Sequence, residues 1–377
     1  MESTKTTRRC NNEHLAFFLP SLRGGGAERV IVTLANRFAE QGYTVDLVLA
    51  KAEGPYLAEV SPKVRIVDLN ASRVLKSIPG LTLYLRRARP TTLLSAMGHA
   101  NVIAGISRMF ARVPTRLVVS VHNDLSVPKP DDKVMVERVL MRSMRWIYRR
   151  ADCVVAVSSG VADSVASTIG YPRALIEVIY NPIVDNEMLA RSREEVDHPW
   201  LKYPGVPVVL GVGRLVTQKD FALLIRAIAY LRERLDVRLI ILGEGELRPE
   251  LDKLINDLGL SEFVDMPGFV SNPYAYLRRS SVFALSSRWE GLSNVLIEAM
   301  ACGTSVVSTD CPSGPAEVLQ HGGFGTLLPV GDVAALTDAL YASLENPKPS
   351  IDLSRRAAEF GVDNAVRNYL SVLIPER

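Results

Sequence analysis

Ser286-Ser-Arg-Trp-Glu-Gly-Leu-Ser-Asn-Val-Leu-Ile-Glu-Ala-Met-Ala-Cys-Gly303 places two carboxylates, Glu290 and Glu298, eight residues apart across a turn that runs into a helix. Gly291, Leu292, Ser293 and Asn294 form a turn-prone segment, while Val295, Leu296, Ala299 and Met300 recur at helical spacing. A helix is therefore predicted to begin near Ser293 or Asn294. The unbonded amides of its first turn and the positive end of its dipole favour an anion such as a diphosphate. Glu290 precedes this helix and Glu298 lies about one turn inside it. Each carboxylate can accept from a pair of hydroxyls, one pair on a hexose and one on a ribose, so the pattern suits a sugar nucleotide. Two lone glutamates would ordinarily be a loop decoration and a solvated helix face, because Glu is mostly exposed. The remaining motifs reverse that expectation.

Working outward, strand-like runs alternate with helical patterns along the whole chain, as a parallel sheet covered by helices requires. Strands are predicted at 15–19, 45–49, 92–94, 117–121 and 153–157, with a helix at 27–41 after the first. The pattern restarts at 208–212, followed by a helix near 221–234 and strands at 238–242, 263–266, 282–285 and 305–308. At 377 residues the chain exceeds one ordinary core. The predicted class is α/β, with two Rossmann-like doubly wound units facing across a cleft: residues 1–185, then 186–360, with 361–377 returning to the first unit. Pro182, the charged run 191–197, Pro199 and Pro204 mark 182–206 as a linker rather than core. A ligand cleft is expected at the carboxyl ends of the strands.

Composition excludes several classes. The longest apolar runs, such as 30–35 and 237–242, fall far short of the roughly 20 residues that span a bilayer. Residues 1–10 are polar and basic, but 15–19 is too short for a signal sequence core, and a cytoplasmic protein is expected. Cys10, Cys153, Cys302 and Cys311 show neither C-x-x-C pairing nor His partners at ligand spacing, so they are read as reduced and structural. The net charge of +3 hides an asymmetry: residues 1–180 hold 25 Lys/Arg against 15 Asp/Glu, and the rest 19 against 26. A basic first half points to an anionic partner such as a membrane surface, a phospholipid-linked acceptor or an acidic glycan.

Four further segments carry candidate chemistry. Arg23-Gly-Gly-Gly-Ala-Glu-Arg29 follows the first strand, where Gly25 and Gly26 let the backbone approach an anion closely. It is not G-x-G-x-x-G, so a dinucleotide reading is weak. Gly211-Val-Gly-Arg-Leu-Val-Thr-Gln-Lys-Asp220 follows the first strand of the second unit, and Gly213 frees the turn that carries Arg214 and Lys219. A planar fork and a point charge there can stabilise a departing diphosphate. His122 stands at a strand's carboxyl end, where α/β enzymes place polar groups, although an isolated His is more often structural. Gly243-Glu-Gly-Glu-Leu247 and Gly268-Phe-Val-Ser-Asn272, with Phe269 and Val270, close two more strands and could hold a base by backbone contacts. Residues 133–150 repeat Arg138, Arg142, Arg145 and Arg149 at helical steps among Val134, Val136, Val139, Leu140, Met144, Trp146 and Ile147. This is either a membrane-surface helix or an ordinary amphipathic one. Aromatic residues are not interleaved as nucleic-acid stacking requires, which argues against that partner.

Gly24-Gly-Gly-Ala-Glu-Arg29, His122-Asn123, Gly211-Val-Gly-Arg-Leu215 with Lys219, Gly268-Phe269, and Glu290-x7-Glu298 with Ala299-Met-Ala-Cys-Gly303 together resemble the retaining glycosyltransferases of family four, which have the two-domain GT-B fold. Gly314-Pro-Ala-Glu317, 322–328 and Gly331-Asp332 continue the likeness. The resemblance implies Arg214 and Lys219 on the donor diphosphate, Glu298 on the ribose, Glu290 on the donor sugar and His122 lining that sugar. It places the amides around Leu292, Ser293 and Asn294 on phosphate and sugar oxygens, and the Gly24–Gly26 loop near the diphosphate or acceptor. It also implies a UDP-sugar donor, a hexose or N-acetylhexosamine, a lipid-linked or polysaccharide acceptor at the inner membrane face, and no metal cofactor. Leu292-Ser293 stands where many relatives have Phe-Pro, which alters the contour facing the sugar. The alternatives are a nucleotide-sugar epimerase or hydrolase of the same fold and a noncatalytic nucleotide-sugar binder.

Overall fold

Two parallel sheets take up the strands in chain order. A computed structural model describes residues 13–127, 134–203, 205–347 and 349–375. The first sheet holds β1 (His14–Leu19), β2 (Thr44–Leu49), β3 (Arg65–Asp68), β4 (Thr92–Ala96), β5 (Arg116–Val121), β6 (Cys153–Ala156) and β7 (Ile176–Val178), in the order β3-β2-β1-β4-β5-β6-β7. The second holds β8 (Val208–Val212), β9 (Arg238–Leu242), β10 (Val264–Gly268), β11 (Val282–Leu285), β12 (Ser305–Thr309) and β13 (Thr326–Leu328), in the order β10-β9-β8-β11-β12-β13. Strand order reverses between β1 and β4, and again between β8 and β11. A doubly wound sheet opens a crevice at such a reversal, beyond the strands' carboxyl ends.

Central strands sit within a few residues of their predicted positions because a strand buried on both faces reads as an apolar run. β3, β7 and β13 escaped notice. They are short edge strands, and β3 is exposed at three of its four residues. β10 runs to Gly268 rather than ending at Met266, with a register shift between Asp265 and Gly268.

Helix Gly26–Glu40 lays Val30, Ile31, Leu34 and Phe38 on the face of the first sheet that carries Leu15 and Phe17. The opposite face, with Phe18 and Val119, continues through Val121 and Val157 into Leu285, Leu292 and Leu296 of the second unit, so one apolar core spans both sheets. Helix Val362–Leu373 returns to the first sheet, burying Val366 and Tyr369 against it. Thr92 Oγ1 donates to the Leu373 carbonyl at 2.6 Å and Arg116 Nε to that of Val372 at 2.8 Å.

The stretch 182–206 corrects one expectation. It is not a solvated linker: Met188, Ser192, Val196 and His198 are buried, helices Asn186–Arg191 and Pro199–Lys202 form within it, and His198 Nε2 lies 2.9 Å from Asp265 Oδ2. Asp185 and His198 stand at the starts of these two helices and Pro199 falls in the first turn of the second, so these residues order the chain rather than loosening it. Asp185 caps the first through the Met188 amide, and His198 caps the second.

Helix Val134–Tyr148 buries Met144, Ile147 and Tyr148, and it exposes Arg138, Arg142 and Arg145 together with Val139 and Trp146. Among the described residues no helix is long and apolar enough to cross a membrane. Residues 1–10 with Cys10, Lys133 and the side chains of Val134 and Val136 lie outside the description.

Candidate active site

The predicted helix exists as Asn294–Ala301, and its preceding residue Ser293 takes a left-handed conformation at φ 66°. The turn leads from β11 into this helix, whose first amides have no partner within the helix. Glu290 and Glu298 flank the turn and are each 6% exposed, so neither decorates the surface. Buried carboxylates need partners. Glu290 Oε1 accepts from Lys219 Nζ at 2.5 Å and Ser287 Oγ at 2.6 Å. Glu298 Oε1 accepts from Arg29 Nη1 at 3.1 Å. Burial raises the Glu298 pKa, opposed by the charges of Arg29, Arg191 and Lys219.

The Lys219 turn is shaped by glycine. Gly213 carries φ 158°, and an added Cβ would lie 3.0 Å from Lys219 Cε. Gly243, at φ 139°, lets the β9 turn press against the Gly213 carbonyl, so the two glycine loops form one floor. Lys219 turns to Glu290, while Arg214 is exposed on the same turn. Phe269 is 68% exposed beyond β10, with Val270 beside it half-buried.

The first unit closes this floor from above. An added Cβ on Gly291 would overlap the His122 carbonyl oxygen, and Ser158 Oγ donates to the Gly291 carbonyl at 2.8 Å. Asn181 Nδ2 donates to Asn294 Oδ1 at 2.7 Å, and a Cβ on Gly26 would stand 3.3 Å from Asn294 Nδ2. Further out, Glu317 accepts from the Ser159 amide at 2.8 Å and Tyr180 Oη at 2.7 Å, and Ser313 Oγ donates to Asp124 at 2.8 Å. His122, Glu290, Gly291, Leu292, Ser293, Asn294, Glu298 and Lys219 are thereby gathered at one junction, with Gly25 and Gly26 on its rim.

Arg29, Arg191, Tyr274, Ser158, Asn181 and Ser287 were not singled out from the sequence. Tyr274 is buried with its hydroxyl unpartnered, and the guanidinium carbons of Arg29 and Arg191 lie 5.2 and 5.3 Å from its ring centre. Arg29, Arg191, Tyr274 and Glu298 line a polar cavity of about 430 Å³ that runs along helix Gly26–Glu40. Arg29 adjoins the glycine motif, which was a usable signal. Ser287 stands three residues before Glu290, within the stretch that carries the two glutamates, whereas Arg191, Tyr274, Ser158 and Asn181 come from distant segments that only folding brings in.

His122 is buried, with 8% of its surface exposed and Nε2 3.0 Å from Ser120 Oγ, and burial pushes its pKa down to about 4. The unfolded imidazole protonates near 6.5. The folded ring therefore stays neutral between these values while the unfolded chain takes up a proton, and stability falls as pH drops from 6.5 towards 4. Between pH 7 and pH 5, urea denaturation should show wild type losing about 2 kcal/mol more than His122→Gln. Equal losses in the two proteins would contradict a buried neutral ring.

Cys302 and Cys311 are buried free thiols, each pushed up to about 12 by burial, which leaves neither as a nucleophile. No group of three or more His, Cys, Asp or Glu side chains that could hold a metal ion occurs among the described residues.

Residues 192–360 match the family described as Glycosyl transferases group 1, and residues 24–187 match Glycosyltransferase Family 4. The chain is similar to the N-acetylgalactosamine-N,N'-diacetylbacillosaminyl-diphospho-undecaprenol 4-alpha-N-acetylgalactosaminyltransferase of Campylobacter jejuni, at 34% identity over 89% of this chain and 91% of that protein. It is 30% identical to the lipopolysaccharide core biosynthesis glycosyltransferase LpsE of Rhizobium meliloti over 92% of each. Among solved structures it superposes on Anabaena HepE in complex with UDP with a TM-score of 0.77, at 21% identity, over 96% of this chain and 99% of that one. The two sheets meeting at a carboxylate-flanked helix, and similarity along nearly the whole length, have one reading: the chain belongs to the group 1 glycosyltransferases with the GT-B fold.

Proposed function

We propose that this glycosyltransferase moves a hexose or N-acetylhexosamine from a UDP-sugar, with retention of configuration, to a lipid-linked or polysaccharide acceptor at the inner membrane face. The observation that carries this reading is the pair of buried glutamates on either side of one helix start, with Lys219 on the first and Arg29 on the second. In the proposed division of labour, the second unit (186–360) holds the donor and the first (1–185, with 361–377) receives the acceptor. Glu298 takes the ribose hydroxyls and Glu290 those of the sugar, His122 lines the sugar, and the turn at Gly243 and the backbone at Phe269 and Val270 meet the base. The amides from Gly291 to Asn294, with Lys219 and Arg214, carry the charge that grows on the diphosphate. Such fixed donors in a closed site contribute a few kcal/mol each, and this counter-charge makes a metal unnecessary in the proposed scheme.

The bond from the sugar C1 to the diphosphate breaks while the acceptor oxygen bonds C1 on the same face. The acceptor's proton passes to the departing phosphate oxygen, releasing UDP. Support for the donor comes from HepE, solved with UDP and glucose, and support for the acceptor from the diphospho-undecaprenol named in the Campylobacter relative. Support for a membrane-surface position is the exposed mixture of Arg138, Arg142, Val139 and Trp146 on helix Val134–Tyr148, with exposed Met109 and Phe110 at the end of neighbouring helix Gly98–Ala111.

Calorimetric titration with UDP, GDP and ADP, without added metal, tests the donor site. UDP should bind at micromolar concentration and more tightly than the other two. Glu298→Ala should weaken it about 10- to 100-fold, the factor of hydrogen bonds lost to a charged group. Assays with UDP-glucose, UDP-galactose and their N-acetylamino forms on undecaprenyl diphosphate-linked sugars then identify sugar and anomer. A wild-type protein that binds no nucleotide would overturn the proposal.

A further inference from the structure

Glu28 is a buried carboxylate for which the donor site has no use. It occupies the third position of helix Gly26–Glu40, is 8% exposed, and leaves Oε2 buried without a hydrogen-bond partner. An acid at this position usually reaches back to the amide before the helix. The amides of Glu28 itself and of Gly25 do pull its pKa down, against burial, which is the larger effect and raises it. Capping accounts for one oxygen. The other lies over Gly25 so closely that an added Cβ there would overlap it.

Three relations place Glu28 at the reaction centre. Gly26, two residues earlier, abuts Asn294 at the first turn of the helix assigned to the sugar and phosphate. Arg214, from the second unit, acts electrostatically on the Glu28 carboxyl across the junction. His122 Nδ1, Asn181 Oδ1 and Ser293 Oγ, all from segments that meet at the 291–294 turn, are likewise buried and unpartnered. An unsatisfied buried polar atom costs about 1–3 kcal/mol, so several around one turn point to a ligand that completes them.

We propose that Glu28 is a binding residue for the acceptor, taking a hydrogen bond from a sugar hydroxyl and orienting the attacking oxygen toward the donor. This rests on the transferase reading above and deepens it. The donor is the poorer match for this carboxylate: an ionised Glu28 would repel the diphosphate, while the ribose and hexose already have Glu298 and Glu290. An acceptor hydroxyl brings no charge and supplies the proton that Oε2 lacks.

Glu28→Gln keeps the side chain's shape and its capping capacity but removes the charge. With an undecaprenyl diphosphate-linked N-acetylhexosamine disaccharide as acceptor, kcat/KM for the acceptor should fall about 10- to 100-fold, as expected for a hydrogen bond to a charged group. The Kd for UDP-sugar, the slow hydrolysis of UDP-sugar by water and the Tm should stay at wild-type values. Glu28→Ala should lose the same acceptor efficiency and also some Tm. Wild-type transfer by Glu28→Gln, with only Glu28→Ala destabilised, would reduce the residue to a helix cap and overturn the proposal. Weaker UDP-sugar binding by Glu28→Gln would overturn it by moving the residue to the donor side. A wild-type protein that transfers nothing is a different failure, that of the transferase reading, and the assignment falls with it.

Discussion

Lys219→Ala is expected to cut sugar transfer about a thousandfold, the upper range for removing one donor that stabilises a developing oxyanion. The loss has two separable parts. In the proposed scheme the ammonium is a point charge on the diphosphate, so its removal leaves the departing group less well compensated. Lys219 Nζ also holds Glu290 Oε1 at 2.5 Å, and Glu290 is 6% exposed. Breaking a buried pair by deleting one partner costs about 3–5 kcal/mol, because the remaining charge is stranded. Chemical denaturation of Lys219→Ala should therefore show a deficit of about 3–5 kcal/mol. Adding Glu290→Gln removes the stranded charge and should restore most of that stability while leaving transfer low. A double variant that regained activity would mean that Lys219 serves the fold and not the diphosphate.

The same pair shows what the sequence made legible. Spacing alone placed Glu290 before a helix and Glu298 one turn inside it, and the structure has the helix at Asn294–Ala301. The glycine turn carrying Lys219 was visible because a strand-to-helix connection has few ways of bringing backbone to an anion. The partners were not visible. Arg29 meets Glu298 across 269 positions, and Asn181 meets Asn294 across 113. No local pattern encodes such a meeting, since it depends on how one doubly wound unit seats on the other. The error over 182–206 has the same origin. Charge and proline suggested a solvated tether, yet Met188 and Val196 are buried where the chain crosses between the sheets. Edge strands β3, β7 and β13 were missed for a more local reason: with one side open, they lack the continuous apolar run that marked their neighbours.

Gly291→Ala should abolish most transfer, by about a hundredfold, while sparing donor binding. Gly291 sits between the two carboxylate positions, and its backbone touches the first unit so closely that a Cβ would overlap the His122 carbonyl oxygen. The obstacle is backbone, so no rotamer change relieves it. Either the turn retreats from His122 or the two units part, and overpacking of this kind costs about 1–3 kcal/mol. Retreat also strains the 2.8 Å hydrogen bond from Ser158 Oγ to the Gly291 carbonyl and the 2.7 Å bond from Asn181 to Asn294. The groups assigned to the donor, Lys219, Glu290, Glu298 and the helix amides, all belong to the second unit and move with the turn or stay put. UDP affinity measured by calorimetry should accordingly change by less than about tenfold. In the proposed scheme transfer needs His122 and the acceptor side held against the donor sugar, and a displacement of about 1 Å between reacting groups costs on the order of a hundredfold in rate. A Gly291→Ala protein with full transfer would show that the closed contact is dispensable. One that lost UDP binding and transfer together would show that the turn itself, rather than the approach of the two units, is what the glycine protects.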